Sequence, residues 1–376
     1  MRIIIGLLCL FFLIFFHELG HFLAAKLFGV KVEAFSIGFG PVLFHKKKNG
    51  TDYRFSLIPL GGYCAMKGEK DFQKSLKSEL DHIEAEPDSM YGVHPFKRLL
   101  IAFAGPFFNL FFAFIALTCI SLIGYTYYAY SNKINVPDEN NHIELNSVAK
   151  NAGIQSGDEI IKINGIETKD FSDLIEQIST RPDEDIIVTV LRNGEILEFK
   201  LHTEMDKKTG GGKIGIIARP ESLEKKEKAP KWLFPAIAEG FLETCKDCAL
   251  TVKGVATLFK GVDLKESVSG PARIADMMGQ VVKESFSDSL RSGFVNMLSF
   301  MAIISISLGI MNLLPIPVLD GGLILFAVIE LVLHKKISPK VLYYIQFIGI
   351  AFIAVMFLIG LRGDVHYFLN LIKGNK

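Results

Sequence analysis

Phe16-His17-Glu18-Leu19-Gly20-His21-Phe22 is the stretch from which the rest of this chain can be read. On a helix His17 and His21 stand one turn apart on one face, so both imidazoles reach a single metal ion. Glu18 lies beside them, placed to take a proton from water at the metal rather than to bind it. The pattern fixes only three positions and arises by chance, so its setting decides its weight. Ile3 to Phe16 are apolar almost without interruption, and apolar character resumes after His21. Two histidines and a glutamate inside such a helix are costly, and residues of this kind mark function.

Working outward, the first span runs from Ile3 to Phe28, long enough to cross a bilayer at about 1.5 Å per residue. Met1-Arg2 and the apolar run also have the form of a secretory signal with Ala24-Ala25 as its cleavage region. Cleavage there would discard the motif, and the run to Val30 is long for a signal, so an uncleaved span is expected. A third span begins near Phe294 and breaks at Pro315-Ile316-Pro317-Val318-Leu319-Asp320-Gly321-Gly322. Irregular backbone at membrane depth is tolerated only where protein or a cavity surrounds it. Asp320 therefore has two readings, an N-cap of the helix from Gly322 to Leu333 or a third metal ligand. The two histidines favour the ligand: a His17/His21/Asp320 set with one open position.

The chain has 376 residues, 50% hydrophobic and 22% charged, with a mean hydropathy of +0.34. These figures fit together when apolar residues are gathered in spans and charges in loops. A net charge of +1 makes no case for nucleic acid, and five scattered cysteines make none for a disulfide framework. Val30 to Gly68 reads as a hairpin about Asn49-Gly50. It is either a small cytoplasmic sheet or one that approaches the site and pairs with an extended substrate, which makes Gly38 and Gly40 candidate substrate contacts. The second span, Leu99 to about Tyr128, opens with Gly105-Pro106 and Asn109, and a buried structural role for Asn109 stands level with a functional one as a substrate contact.

From 131 to 220 the composition turns soluble. A strand is expected at His142 to Leu145, helices at Ser147 to Gly153 and Asp173 to Ser179, and a hairpin about Asn193-Gly194. Trp232 to Phe259 carries an apolar stripe through Phe234, Ile237, Phe241, Cys245, Cys248, Val252 and Val255, expected against the membrane surface or the small domain. Both thiols fall on that stripe, which favours packing over a redox or zinc role. A last span covers Val341 to Leu361. Dense Lys/Arg between Lys26 and Arg98, and at His334-Lys335-Lys336, assigns those loops to the cytoplasm and the 131–220 domain to the other side.

His17-Glu18-x-x-His21, Gly105-Pro106-x-x-Asn109 and Asn312-x-x-Pro315-x-Pro317-x-Leu319-Asp320-Gly321-Gly322, in that order, resemble the site-2 protease family of intramembrane zinc metalloproteases (M50). The closest likeness is to its bacterial branch, which includes the regulator-of-sigma-E protease. Gly153 to Ile160 is similar to the matching turn of a PDZ domain. Only one such domain is found where well-known bacterial members carry two, and Val148 stands where the pattern usually has proline. The resemblance implies one zinc ion per chain on His17, His21 and Asp320, with Glu18 catalytic and Asn312 handling substrate. It also implies that the Val30–Gly68 hairpins are a membrane-associated β-region and that the Trp232 helix is the family's amphipathic helix.

The expected fold is thus a polytopic α-helical membrane protein of about four transmembrane helices, with a β-hairpin region and an inserted α/β PDZ-like domain. Its parts are a first helix at 1–30, hairpins and loop at 31–98, a second helix at 99–130 and the PDZ-like domain at 131–222. Amphipathic helices at 230–292, a third segment at 293–333 and a fourth helix at 341–362 follow. The expected activity is hydrolysis of peptide bonds in or near transmembrane segments of single-span proteins, such as anti-sigma factors or remnant signal peptides, in a bacterial inner membrane. A non-catalytic adaptor is disfavoured because a structural metal needs no Glu18. A metal transporter is disfavoured because the candidate ligands form one set rather than a path.

Overall fold

Helix α1 (Arg2–Phe28) carries the His/Glu motif in its third quarter. It belongs to a computed structural model that describes residues 2–80, 82–137, 147–207, 209–257 and 269–374. The described residues form two compact units, one of 1–123, 231–248 and 269–376, the other of 124–230 and 249–268.

In the first unit α1 ends at Gly29, whose φ of 83° turns the chain into strand β1 (Val32–Lys48) and its partner β2 (Thr51–Met66). The turn between them is Asn49-Gly50, both residues left-handed as a tight hairpin requires. Both strands bend in the middle, so the pair makes four rows. Phe35 faces Tyr53 on one side and Cys64 on the other, while Lys46 further along β1 also faces Tyr53. Residues 62–66 are consequently an outer edge. Gly38 (φ 90°) and Gly40 (φ 81°) make the bend in β1, and a Cβ on Gly38 would stand 2.8 Å from the Ser56 carbonyl. Their glycine character is explained by the bend itself. A short helix α2 (Asp71–Lys77) precedes α3 (Pro95–Ile123), which contains Pro106.

The second span is shorter than expected. It stops at Ile123, Gly124 adopts φ 65°, and Tyr125–Tyr130 forms strand β3 instead of continuing the helix. Alternating tyrosines suit a pleated ribbon, and β3 finds a full-length antiparallel partner in residues 223–228. The second unit continues with β4 (Ile134–Asn135), α4 (Val148–Asn151), β5 (Glu159–Ile163), β6 (Ile166–Glu167), α5 (Phe171–Ser179), β7 (Asp185–Arg192) and β8 (Glu195–His202). Strands β9 (Glu204–Met205), β10 (Gly212–Lys213), β11 (Ile217–Ala218) and β12 (Leu223–Lys228) complete it. Its main sheet has the order β6-β5-β7-β8, and α5 is capped by Asp170, whose Oδ1 accepts from the Ser172 and Asp173 amides. Ile160, Ile163, Leu174, Ile186, Val188, Val190 and Ile214 form its core. The strand expected at His142 to Leu145 lies outside the described residues.

Helix α6 (Leu233–Thr257) follows, and the face it buries within the protein is not its apolar stripe. Its buried residues are Ala236, Gly240 and Thr244, a row of small side chains that lets Gly240 lie directly on Thr118 of α3. The apolar stripe points outward, as a helix on a membrane surface would carry it: Phe234 and Phe241 are exposed; of the two thiols on it Cys245 is exposed, whereas Cys248 packs against the helix core. Close backbone approach, not the apolar stripe, determined which face of α6 is covered. Helices α7 (Pro271–Asp288), α8 (Leu290–Leu313), α9 (Asp320–Leu333) and α10 (Pro339–Ile372) follow. The last extends beyond the expected Leu361.

Among the described residues α1, α3, α8 and α10 are long and apolar enough to cross a membrane. The chain is a polytopic membrane protein. Leu13, Phe112, Ala116, Met278, Met301 and Ile306 lock α1, α3, α7 and α8 together, and Gly6 of α1 lies against the Ala275 carbonyl of α7. Large apolar side chains such as Leu8, Leu27, Phe107, Phe347 and Ile348 remain exposed. Such a surface is what lipid requires and what water would not tolerate in a monomer.

Candidate metal centre

Three helices converge on one point. From α1, His17 Nε2 and His21 Nε2 lie 3.2 Å apart. From the first turn of α9, Asp320 places Oδ2 3.1 Å from His17 Nε2 and Oδ1 3.3 Å from His21 Nε2. The third helix, α3, lines the back of the pair with glycine: a Cβ on Gly105 would stand 2.8 Å from His17 Cε1 and closer still to His21 Nε2. Gly20 of α1 meets the Ala104 carbonyl in the same crossing. The histidines are 8% and 6% exposed, so their ring nitrogens face each other and the carboxylate rather than water.

These separations test whether a metal fits. Tetrahedral zinc with bonds of about 2.0–2.1 Å has neighbouring ligand atoms about 3.3 Å apart. The two histidine nitrogens, 3.2 Å apart, match that figure, and each has a different oxygen of the Asp320 carboxylate at a similar distance, Oδ2 at 3.1 Å and Oδ1 at 3.3 Å, so the carboxylate stands where a metal shared by all three residues can take one of its oxygens. Asp320 Oδ2 is buried yet makes no hydrogen bond of acceptable geometry, which suits an atom whose partner is a cation. His17, His21 and Asp320 are the one group of candidate metal ligands among the described residues. Asp320 is the first residue of α9, and Leu319 takes the N-cap position. The carboxylate is therefore directed at the histidines instead of capping its own helix.

Outer contacts set the histidine tautomers. His21 Nδ1 donates to the Ile101 carbonyl at 2.8 Å, so its Nε2 is the bare nitrogen. Pro106 cannot donate to the carbonyl four residues back, which loosens the same turn of α3. Glu18 Oε2 accepts from the Cys64 amide at 3.0 Å, on the outer edge of β2, where a Cβ on Gly62 would stand 3.7 Å from Glu18 Cγ. The Cys64 main-chain amide is thus the group that orients Glu18.

The residues singled out from sequence divide clearly. His17, Glu18, His21 and Asp320 come together. Asn109 is fully buried against His17, with Nδ2 3.1 Å from Nδ1; substrate contact is therefore a poor description of it, because its whole carboxamide is enclosed between helices. Gly38 and Gly40 are occupied with the bend of β1. Asn312 sits half-buried on the last turn of α8, one residue before the helix ends. Gly62 and Cys64 escaped sequence reasoning, since a backbone amide leaves no signature in residue type.

Far from the site, α9 is held by a buried ion pair between Arg98 of α3 and Glu330, with the Tyr91 ring 5.2 Å from the guanidinium. Glu330 Oε1 also accepts from the Ile337 amide at 3.2 Å. Together these anchor the end of the helix opposite Asp320.

A carboxylate and two imidazoles meeting inside an apolar bundle, with a glutamate one residue from the first imidazole, define a membrane metallohydrolase of the zinc type. Comparison with known proteins narrows the class. The sequence pattern of peptidase family M50 matches residues 5–356, and the chain belongs to that family. A relative in Treponema pallidum (strain Nichols) named as a zinc metalloprotease is 34% identical, covering 98% of this chain and 100% of its own. Relatives named likewise occur in Campylobacter jejuni, at 35% identity over 94% of this chain and 90% of that one, and in Borreliella burgdorferi, at 32% over 99% and 100%. The protein is a zinc-dependent metalloprotease of the membrane.

Proposed function

We propose that this chain is an intramembrane endopeptidase that cuts within or next to the transmembrane segment of single-span proteins, using one zinc ion held by His17, His21 and Asp320. The observation that carries this reading is the convergence of those three side chains, with nitrogens and carboxylate oxygens 3.1–3.3 Å from one another, inside the span bundle. When bound, zinc supplies Lewis acidity and acidifies water towards neutral pH. Glu18, held by the Cys64 amide, takes the water proton and delivers it to the leaving amine. Asn312 hydrogen-bonds the substrate backbone.

A helical substrate hides its peptide bonds and has to be extended first. The outer edge at 62–66 is suited to hold it. Alternation along the strand turns the Gly62 and Met66 amides to the same side as that of Cys64. Met66 N–H is taken by Glu69 Oε1, so the Gly62 amide is the donor left beside Glu18 for a substrate carbonyl. Residues 131–222 act as a PDZ-like domain outside the cytoplasm, the 31–98 region and the 334–340 loop face the cytoplasm, and the membrane is the bacterial inner membrane. Substrates of this kind include anti-sigma factors and remnant signal peptides.

The test is cleavage of a panel of single-span substrates in liposomes by wild type and by Glu18→Gln, with zinc measured in both. Loss of cleavage with zinc retained supports the assignment. Undiminished cleavage by the variant removes Glu18 from the mechanism, and cleavage confined to soluble peptides removes the intramembrane reading.

A further inference from the structure

Asn109 belongs to α3, ninety-two residues along the chain from His17, and its side chain is fully buried. Its carboxamide reaches one polar neighbour, His17 Nδ1, at 3.1 Å. The other end of the amide, Oδ1, is buried without a hydrogen-bond partner among the described residues. The Asn109 main chain is fixed independently, because Ser305 of α8 donates its hydroxyl to the Asn109 carbonyl at 2.8 Å. Gly309 of α8 further lets that helix close on Asn109, with a Cβ there standing 3.4 Å from Asn109 Cβ. The side chain is thus held in place between α1 and α8 with a single freedom left, a half-turn about Cβ–Cγ that exchanges oxygen and nitrogen.

His17 itself decides which end must face it. Its Nε2 points into the ligand cluster, 3.2 Å from His21 Nε2 and 3.1 Å from Asp320 Oδ2. A neutral imidazole that offers Nε2 as a ligand carries its proton on Nδ1, and a buried N–H needs an acceptor. An amide nitrogen opposite that N–H would set donor against donor and leave Oδ1 orphaned. The half-turn removes both faults at once, since Oδ1 then accepts from Nδ1–H. His21 is already served this way by the Ile101 carbonyl at 2.8 Å.

We infer that Asn109 is the positioning residue of the metal centre: its carboxamide oxygen accepts from His17 Nδ1–H and so fixes the tautomer that presents Nε2 to zinc. This rests on the reading that His17, His21 and Asp320 bind the metal. The two helices that supply the histidine-orienting acceptors are then one and the same. Eight residues and so about two turns apart on α3, Ile101 serves His21 and Asn109 serves His17, so the packing of α3 on α1 sets both rings together.

The experiment measures zinc affinity by chelator competition on the purified full-length chain in detergent, for wild type, His17→Ala, Asn109→Leu and Asn109→Asp. Leu keeps the branched shape of Asn without an acceptor, though it is bulkier, and Asp retains one. Loss of such an outer partner typically weakens metal binding about 10–100-fold, so Asn109→Leu should fall by that factor while Asn109→Asp stays within about threefold of wild type. A role in packing alone would leave both variants with wild-type affinity and lower only their thermal stability, which overturns the inference. Because Asn109→Leu can fail to fold, histidine-selective 15N NMR on the zinc-loaded wild type provides a second measurement. Nδ1 protonated and Nε2 metal-bound at His17 agrees with the inference; zinc on Nδ1 refutes it. Full zinc binding by His17→Ala would instead refute the ligand assignment underneath.

Discussion

Gly105→Ala is the substitution that tests this metal centre most directly, because it adds one methyl group and touches no ligand. The methyl would stand 2.8 Å from His17 Cε1 and 2.6 Å from His21 Cε1. Carbon atoms in comfortable contact are about 3.5 Å or more apart, so the rings or α3 must retreat by at least about 0.7–0.9 Å, and further where the methyl meets His21 Nε2. Zinc sites tolerate deviations of only about 0.2 Å in their ligand distances. Both imidazoles are displaced at once, and a loss of zinc affinity of about 100-fold or more follows, about 2.7 kcal/mol at 1.36 kcal/mol per decade. Intrinsic helix propensity pulls the other way, since alanine in a helix interior is favoured over glycine by about 1 kcal/mol. The secondary structure of α3 should therefore gain while the site loses. Chelator competition and metal content of the purified protein read the effect, with Gly254→Ala as control because no described residue lies within 4 Å of a Cβ there. Wild-type zinc affinity in Gly105→Ala would show that the α3 backbone does not form the wall behind the histidines.

Glu18→Gln should keep zinc and lose about 10²–10⁴-fold in turnover, the usual worth of a positioned base, as a single-turnover assay would show. Arg98→Met strands Glu330 in a buried site, and breaking such a pair costs about 3–5 kcal/mol. Thermal unfolding in detergent should fall sharply, and the double variant Arg98→Met/Glu330→Leu should recover much of the loss. In the second unit, burial would raise the Asp158 carboxyl, but the Arg192 guanidinium bonded to it at 2.7 Å prevails and holds it below its ordinary value. A depressed carboxylate contributes stability above the unfolded value of ~3.9 and loses it as pH falls through the folded value. Proteolysis of the 124–230 unit in the full chain should therefore quicken below about pH 4, and Arg192→Met should shift that onset to higher pH. An acid profile unchanged by Arg192→Met would remove the pair from the acid response.

Periodicity and turn chemistry carried much of the local structure. The apolar runs of α1, α8 and α10 and the Asn-Gly turns at Asn49 and Asn193 follow from short-range rules, because a span needs only length and a tight hairpin needs only left-handed residues. The helix spacing of His17 and His21, and a carboxylate stranded in a proline-broken span, were also enough to nominate the candidate site.

Tertiary structure decided what depends on distance. Whether α6 buries its apolar stripe or its row of small residues turned on how closely Gly240 approaches Thr118. Whether Tyr125 to Tyr130 continued a helix turned on a partner strand about a hundred residues away. The same holds at the metal centre. Residue types nominate the ligands, whereas the space left by Gly105, the Ile101 carbonyl and Asn109 carboxamide against the two rings, and the Cys64 amide on Glu18 exist only once α3 and β2 have packed against α1. A ligand is chosen for its chemistry, which sequence records, but a backbone amide or an absent methyl group acts through position alone.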